Sequence, residues 1–253
     1  MRATDLDTGA GPACQFARCD GSGWLLDDDD TAYPCACREQ RITKARAKGV
    51  SSVIPRKFRG VGFDRPPITE IDSSTVGDVR RYVDNLDSNL DAGRGLWLMG
   101  PVGTGKTSLA MVVSKEALKR GRTVAIYSMP KLLWRLRQTY EAVAGEDTYA
   151  QFFERLVGVD LLHLDDLGAE KRSDWVLEQL YSLINERYEE QRAVLVTTNL
   201  TTMDEEQKAE LEEQIGRRTV SRLTEMCEEP VPVFGDDARQ VFRPPSALER
   251  HAS

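Results

Sequence analysis

Short apolar runs alternate along this chain with stretches whose apolar residues recur every three or four positions. Leu96-Trp97-Leu98-Met99, Val124-Ala125-Ile126-Tyr127, Val159 to Leu164 and Ala193-Val194-Leu195-Val196 form the first class. Runs of that kind suit strands covered on both faces of a parallel sheet. The second class predicts helices. Residues 73–91 set Val76, Val79, Val83, Leu86 and Leu90 on one face, with Gly93 and Gly95 as the stop. A helix is expected from Lys106 to Arg120, halted by Gly121. Residues 130–156 read as two helices broken near Gly145-Glu146-Asp147. Residues 173–190 read as one helix with Ser173 as N-cap, and 205–226 as another, acidic at its start. Val231-Pro232-Val233-Phe234 and Gln240-Val241-Phe242 are expected to make a short final ribbon, and Asp64-Arg65-Pro66-Pro67 a non-helical connector. Strand–helix alternation predicts an α/β fold of three layers, a parallel sheet with helices on both faces.

The first strand runs directly into Gly100-Pro101-Val102-Gly103-Thr104-Gly105-Lys106-Thr107, with Ser108 next. This fits G-x-x-x-x-G-K-[ST] between a strand and a helix, the context in which the pattern has a mechanism. Glycines allow a turn that aims successive backbone N–H groups at phosphate oxygens, and the helix N-terminus adds partial positive charge. Lys106 would neutralise the β- and γ-phosphates of ATP, and the Thr107 hydroxyl would ligate Mg²⁺. The third strand ends in Asp165-Asp166, which puts carboxylates at the strand ends where ligands bind in open α/β sheets. Asp165 is expected in the magnesium shell and Asp166 on the attacking water. His163, inside that strand, reads as packed. The fourth strand ends in Thr197-Thr198-Asn199, and Asn199 is a candidate for positioning the water. The alternative for Asn199 is a turn or cap residue.

Gly216-Arg217-Arg218-Thr219-Val220-Ser221-Arg222-Leu223 lies on the last predicted helix. Arg218 and Arg222 share a face and could act as fingers on a neighbouring subunit's ATP. Ordinary pairing is the alternative, since Glu225 follows Arg222 by three residues.

Charge and cysteine add a second region. The formal charge is −7, which does not advertise a nucleic-acid binder. Its distribution is uneven. Residues 1–37 hold seven acids and two bases, while residues 38–62 hold eight bases and one acid. Such a segment is either a contact arm or a solvated helix. Cys14, Cys19, Cys35 and Cys37 crowd into the acidic head around Asp20-Gly21-Ser22-Gly23-Trp24. Without a basic, apolar leader, a cytoplasmic location is expected and disulfides are not. Four thiolates holding Zn²⁺ is one reading and free thiols the other. Zinc would contribute stability that so short a segment cannot draw from a core. The C-x4-C spacing departs from the usual C-x2-C. Cys227 reads as packed. The expected division is a Cys-rich head with a basic helix over residues 1–50 and an ATPase domain over 51–253. No apolar run is long enough for a membrane helix.

Taken together, GPVGTGKT, LLHLDDLG, TTN and GRRTVSRL resemble the AAA+ ATPases of the DnaC/DnaI helicase-loader and IstB family. VIPRKF resembles the family's lead-in, which would set Phe58 near the adenine. The head is similar to the zinc-binding region of some loaders. The resemblance implies an ATP-hydrolysing enzyme that self-associates through its ATP interface and meets a replicative hexameric helicase and single-stranded DNA. The DNA would be held by the helices of 130–156, where Lys131 and Arg135 are candidates and a solvated face is the alternative. An IstB-like transposition helper, a small-molecule kinase and a non-hydrolysing adaptor are the competing functions.

Overall fold

The computed structural model describes residues 14, 16–20, 22–27, 31–38, 54–141, 147–202 and 204–235. The basic helix expected over the tail of the head, the head–core boundary near residue 50 and the Gln240–Phe242 half of the ribbon lie outside them. In the head, β1 (Trp24–Leu26) and β2 (Ala32–Pro34) form an antiparallel hairpin, with Trp24 opposite Pro34 and Leu26 opposite Ala32.

The core follows as α1 (Ser73–Asp84), α2 (Leu86–Asp91), β3 (Leu96–Met99), α3 (Lys106–Lys119), β4 (Val124–Ser128) and α4 (Met129–Gln138). Then come α5 (Tyr149–Gly158), β5 (Leu161–Leu167), α6 (Asp174–Glu189), β6 (Ala193–Thr198), α7 (Glu205–Ile215), α8 (Arg217–Cys227) and β7 (Val231–Pro232). Five strands make a parallel sheet in the order β4-β5-β6-β3-β7. Period-2 alternation divides the strands between two cores. Leu96, Leu98, Val124, Ile126, Ala193 and Leu195 face α1, α2 and α3. Trp97, Met99, Ala125, Tyr127, Val194 and Val196 face α4 to α8. The three-layer expectation is met.

Four boundaries differ from the sequence pattern, each for a local reason. The 73–91 helix is two helices meeting at Asn85, with Asp72 capping α1 through bonds from Ser74 N–H and Thr75 N–H. The 205–226 helix breaks at Gly216, whose φ of +88° only glycine adopts at low cost. β5 begins at Leu161 rather than Val159 and continues through both acids to Leu167. Val231-Pro232 pairs with β3 as a parallel edge strand of the main sheet, a partner that the sequence pattern did not name. The expected helix stop at Gly121 and the Ser173 cap, which accepts from Val176 N–H, are present.

The sheet edge opposite the strand tips is fastened by charge. Arg187 of α6 has no exposed surface. Its guanidinium donates to the carbonyls of Leu156 (2.6 Å), Val157 (2.9 Å), Val159 (3.0 Å), Asp160 (3.4 Å) and Ala193 (2.5 Å). One side chain thus closes the C-terminus of α5 and the starts of β5 and β6. Burial pushes its pKa down to about 9, with Arg192 adding to the effect and Asp160 opposing it. Arg187→Met leaves these buried acceptors without a donor. Hydrogen bonds from charged groups are worth ~1.5–3 kcal/mol each, offset here because the variant has no guanidinium to desolvate on folding. We expect a net loss of about 3 kcal/mol, read as a melting midpoint lower by roughly 6–12 °C.

Candidate active site

β3 delivers the chain to the phosphate loop, and α3 leaves it. Gly105, the last loop residue, has φ +96°, and a Cβ there would lie 2.5 Å from Ile71 Cδ1. The conformation demands glycine, and a Cβ would in addition displace the tip of the Ile71 side chain. Thr104 Oγ1 donates to Pro101 O (3.0 Å), tightening the loop. Lys106 is 5% exposed, and its Nζ donates to Gly100 O (2.8 Å) and Pro101 O (2.6 Å). The ammonium is therefore held inside the loop, where the first N–H groups of α3 also converge.

The loop opens into a cleft of about 810 Å³. Val102, Gly103, Gly105, Lys106, Thr107 and Ser108 line one part of it. Asp165, Asp166 and Asn199 close another, and Phe58 lies on the wall toward the lead-in segment. Each of these was expected from the sequence. Lys57, Gly60, Val61, Pro66, Pro67 and Glu70 also line the cleft and were not. Lys115 of α3 braces the lead-in, since its Nζ donates to Arg59 O (3.1 Å) and Val61 O (2.8 Å).

The carboxylates owe their placement to a bulge. Leu164 pairs with Val196 and Leu167 with Thr198, so Asp165 and Asp166 together oppose the single residue Thr197. A regular strand would send adjacent side chains to opposite faces. Here Leu164 and Leu167 both pack on the α4–α8 side, and both acids line the cleft. Asp166 has φ +59°, unusual for a non-glycine residue and a form of strain that clusters at functional sites. Thr197, fully buried, clamps the bulge. Its Oγ1 accepts from Asp166 N–H (2.9 Å) and donates to Asp165 Oδ1 (2.8 Å). Sequence reasoning passed over Thr197, and only its place inside TTN hinted at a role.

Thr107 Oγ1 donates to the same Asp165 Oδ1 at 2.9 Å. A hydroxyl and a carboxylate this close fit a shared Mg²⁺ on a triphosphate, as hard oxygen donors should. Asn199 Nδ2 donates to Asp166 Oδ1 (3.3 Å), so the candidate water-positioning amide and acid touch. His163 does not reach the cleft. It is fully buried, with Nδ1 2.9 Å from Ser114 Oγ of α3, and burial pushes its pKa down to about 3.

Arg218 and Arg222 do not line this cleft. Arg222 donates from Nε to Asn185 Oδ1 (3.1 Å) and from Nη1 to Glu225 Oε1 (3.1 Å), with its guanidinium 4.2 Å from the Tyr188 ring centre. The pairing weighed as the alternative is therefore present. Arg218 is exposed, 5.8 Å from the Tyr181 ring centre. On α4, Leu132, Leu133 and Leu136 are buried, which leaves Lys131 and Arg135 on the exposed face. Between them stands Trp134, 58% exposed, another residue the sequence reading missed.

In the head, Cys14 Sγ lies 3.8 Å from Cys35 Sγ, and Cys19 Sγ 3.5 Å from Cys37 Sγ. All four sulfurs fall within 4.8 Å of one another. These are far beyond disulfide length. A tetrahedral ion with Zn–S near 2.3 Å requires S···S separations of about 3.8 Å. The cluster can hold zinc, and the wide C-x4-C spacing is absorbed by a turn through Ala17, whose N–H donates to Cys14 O (2.9 Å). Backbone N–H groups of Arg18 and Cys19 lower the Cys14 pKa to about 6, favouring the thiolate.

The family of IstB-like ATP binding proteins matches residues 68–243, well over half of the chain. This chain belongs to that family. It shares 27% identity with the phage-like element PBSX protein XkdC of Bacillus subtilis, over 83% of this chain and 78% of that one. The replicative helicase loader DnaC of Escherichia coli K12 is 25% identical, over 74% of this chain and 72% of the loader. The crystal structure of the DnaC helicase loader superposes with a TM-score of 0.61 at 27% identity, covering 71% of this chain and all of that one. The protein is thus an ATP-binding member of the AAA+ DnaC/IstB-like group. Among the described residues no helix is long and apolar enough to cross a membrane.

Proposed function

We propose that this protein is an ATP-hydrolysing loader that grips a replicative hexameric helicase in the cytoplasm and helps set it on single-stranded DNA. The observation that carries the reading is a four-thiol head on the same chain as a DnaC-like core. ATP would lie along the cleft with its triphosphate on the amides before Lys106 and its base toward Phe58. Thr107 and Asp165 would hold Mg²⁺, which would supply charge to offset that of the triphosphate. Asp166 and Asn199 together orient a water for attack in line with the leaving ADP. Asp166 accepts that water's hydrogen bond as the bond to phosphorus forms. Arg222, with Arg218 beside it, serves the next protomer's cleft, so that ATP ties neighbours together. Cys14, Cys19, Cys35 and Cys37 hold zinc and shape the head that meets the helicase. Lys131 and Arg135 contact backbone phosphates, and Trp134 offers a ring on which a base stacks. Such contacts weaken as salt rises.

Co-purification tests this. The full chain should retain the replicative hexameric helicase with ATP present. Lys131→Ala/Arg135→Ala should lower affinity for single-stranded DNA with helicase binding intact. Capture of a transposase and no helicase would instead support the IstB-like transposition helper, which the family match favours.

A further inference from the structure

A short bonded path joins the acid at the strand tip to the arginine-bearing helix. After Asp166 the chain turns through Gly168-Ala169-Glu170. Ala169 N–H returns to Asp166 O (3.1 Å), and Gly168 N–H donates to Glu170 Oε2 (3.0 Å). Glu170 is 7% exposed, and its Oε1 has no partner among the described residues. The turn is therefore closed on itself, with Glu170 buried, Gly168 half-buried and Ala169 exposed. From α7, Gln214 Nε2 donates to both Gly168 O (3.1 Å) and Glu170 O (2.8 Å). Gln214 stands two residues before Gly216, where α7 gives way to α8 and its Arg217, Arg218 and Arg222. On the other flank Leu200 follows Asn199 and presses against Gly168.

We infer that Gln214 is a positioning residue whose side-chain amide couples the setting of Asp166 in one protomer's cleft to the setting of the arginines that protomer offers its neighbour. The geometry favours coupling over a plain brace. Two carbonyls on either side of one turn converge on one NH₂ group, so the turn and the α7–α8 corner cannot shift independently without breaking a bond. Both carbonyls are partly buried, so each bond costs something to leave unmade. A rearrangement at Asp166 is thus passed to α8 across only two residues on either side of the amide. The inference rests on the reading of Arg222 as a residue that acts in trans.

A double-mutant cycle on the full chain tests it, with Gln214→Met, its near-isosteric partner Gln214→Glu, Arg222→Ala and the Gln214→Met/Arg222→Ala pair. Both Gln214 variants lack the paired donors and should hydrolyse ATP about tenfold more slowly, or about 1.4 kcal/mol in the barrier. ATP affinity should stay near wild type, and the slower turnover should persist at temperatures well below the variants' melting midpoints, which a merely structural role would not give. The double variant should be no slower than Arg222→Ala alone, because both changes act through one helix. Wild-type hydrolysis by Gln214→Glu or Gln214→Met overturns the inference while the trans-arginine reading stands. So do losses that multiply in the double variant. An Arg222→Ala protein as active as wild type would instead overturn the trans reading and the coupling with it.

Discussion

Asp166→Asn should cut steady-state phosphate release by ~10²–10⁴-fold, the usual worth of a positioned general base, and leave ATP bound as tightly as before. The separation follows from where the contacts lie. On the proposed reading the loop amides and Lys106 would hold the phosphates, and Thr107 with Asp165 would hold the ion, which leaves Asp166 free of the binding work. Asparagine is the right probe for a second reason. Asp166 sits at φ +59°, a region asparagine tolerates well. An alanine there would add roughly 1–2 kcal/mol of backbone strain and confuse a chemical loss with a folding one. Asparagine also keeps an oxygen to accept from Asn199 Nδ2. Titration with a fluorescent ATP analogue and single-turnover phosphate release measure the two halves. An unchanged release rate would remove Asp166 from its role. Transfer of the phosphoryl group to a small-molecule acceptor would move the protein to the kinases.

Why the acids could be read from the sequence, and their geometry could not, comes down to range. GPVGTGKT is a local device: loop, helix start and lysine are contiguous, so residue order alone carries the chemistry. The double Asp is local as well, and its neighbours announced a strand. The bulge that turns both acids to one side depends on β6 lying beside β5 with Thr197 in register, which no local pattern encodes. Thr197 itself looks like any β-branched strand residue until its hydroxyl is seen between the two acids. The same holds for the helices. Periodicity runs smoothly across Asn85 and Gly216, yet one helix ends and another begins at both. Val231-Pro232 pairs with a strand more than 130 positions earlier, a partner that no local pattern names. The four cysteines were legible as a cluster because thiols are rare. Their convergence to within 4.8 Å relies on a hairpin between the pairs.

Arg222→Ala is the second large effect, and magnitude decides between its two explanations. Within one chain Arg222 pairs with Glu225 and Asn185, with about a third of its side chain exposed. Such a pair is worth ~0.2–1 kcal/mol. Losing it would lower the melting midpoint slightly and leave turnover nearly intact. A finger acting on a neighbour's γ-phosphate is worth ~10³–10⁵ in kcat, or upward of about 4 kcal/mol. The expected result is the large loss, at unchanged ATP affinity, with the wild-type rate per chain rising with protein concentration. The cost of freeing Arg222 from Glu225 is too small to forbid the swap between partners. Mixing then separates cis from trans. An Asp166→Asn protomer cannot hydrolyse its own ATP but still offers Arg222, and an Arg222→Ala protomer keeps an intact cleft. Together they should recover a substantial part of the activity that each lacks alone. If the mixture stays as inactive as its components, Arg222 serves only its own fold, and the ATP-bridged assembly loses its main support.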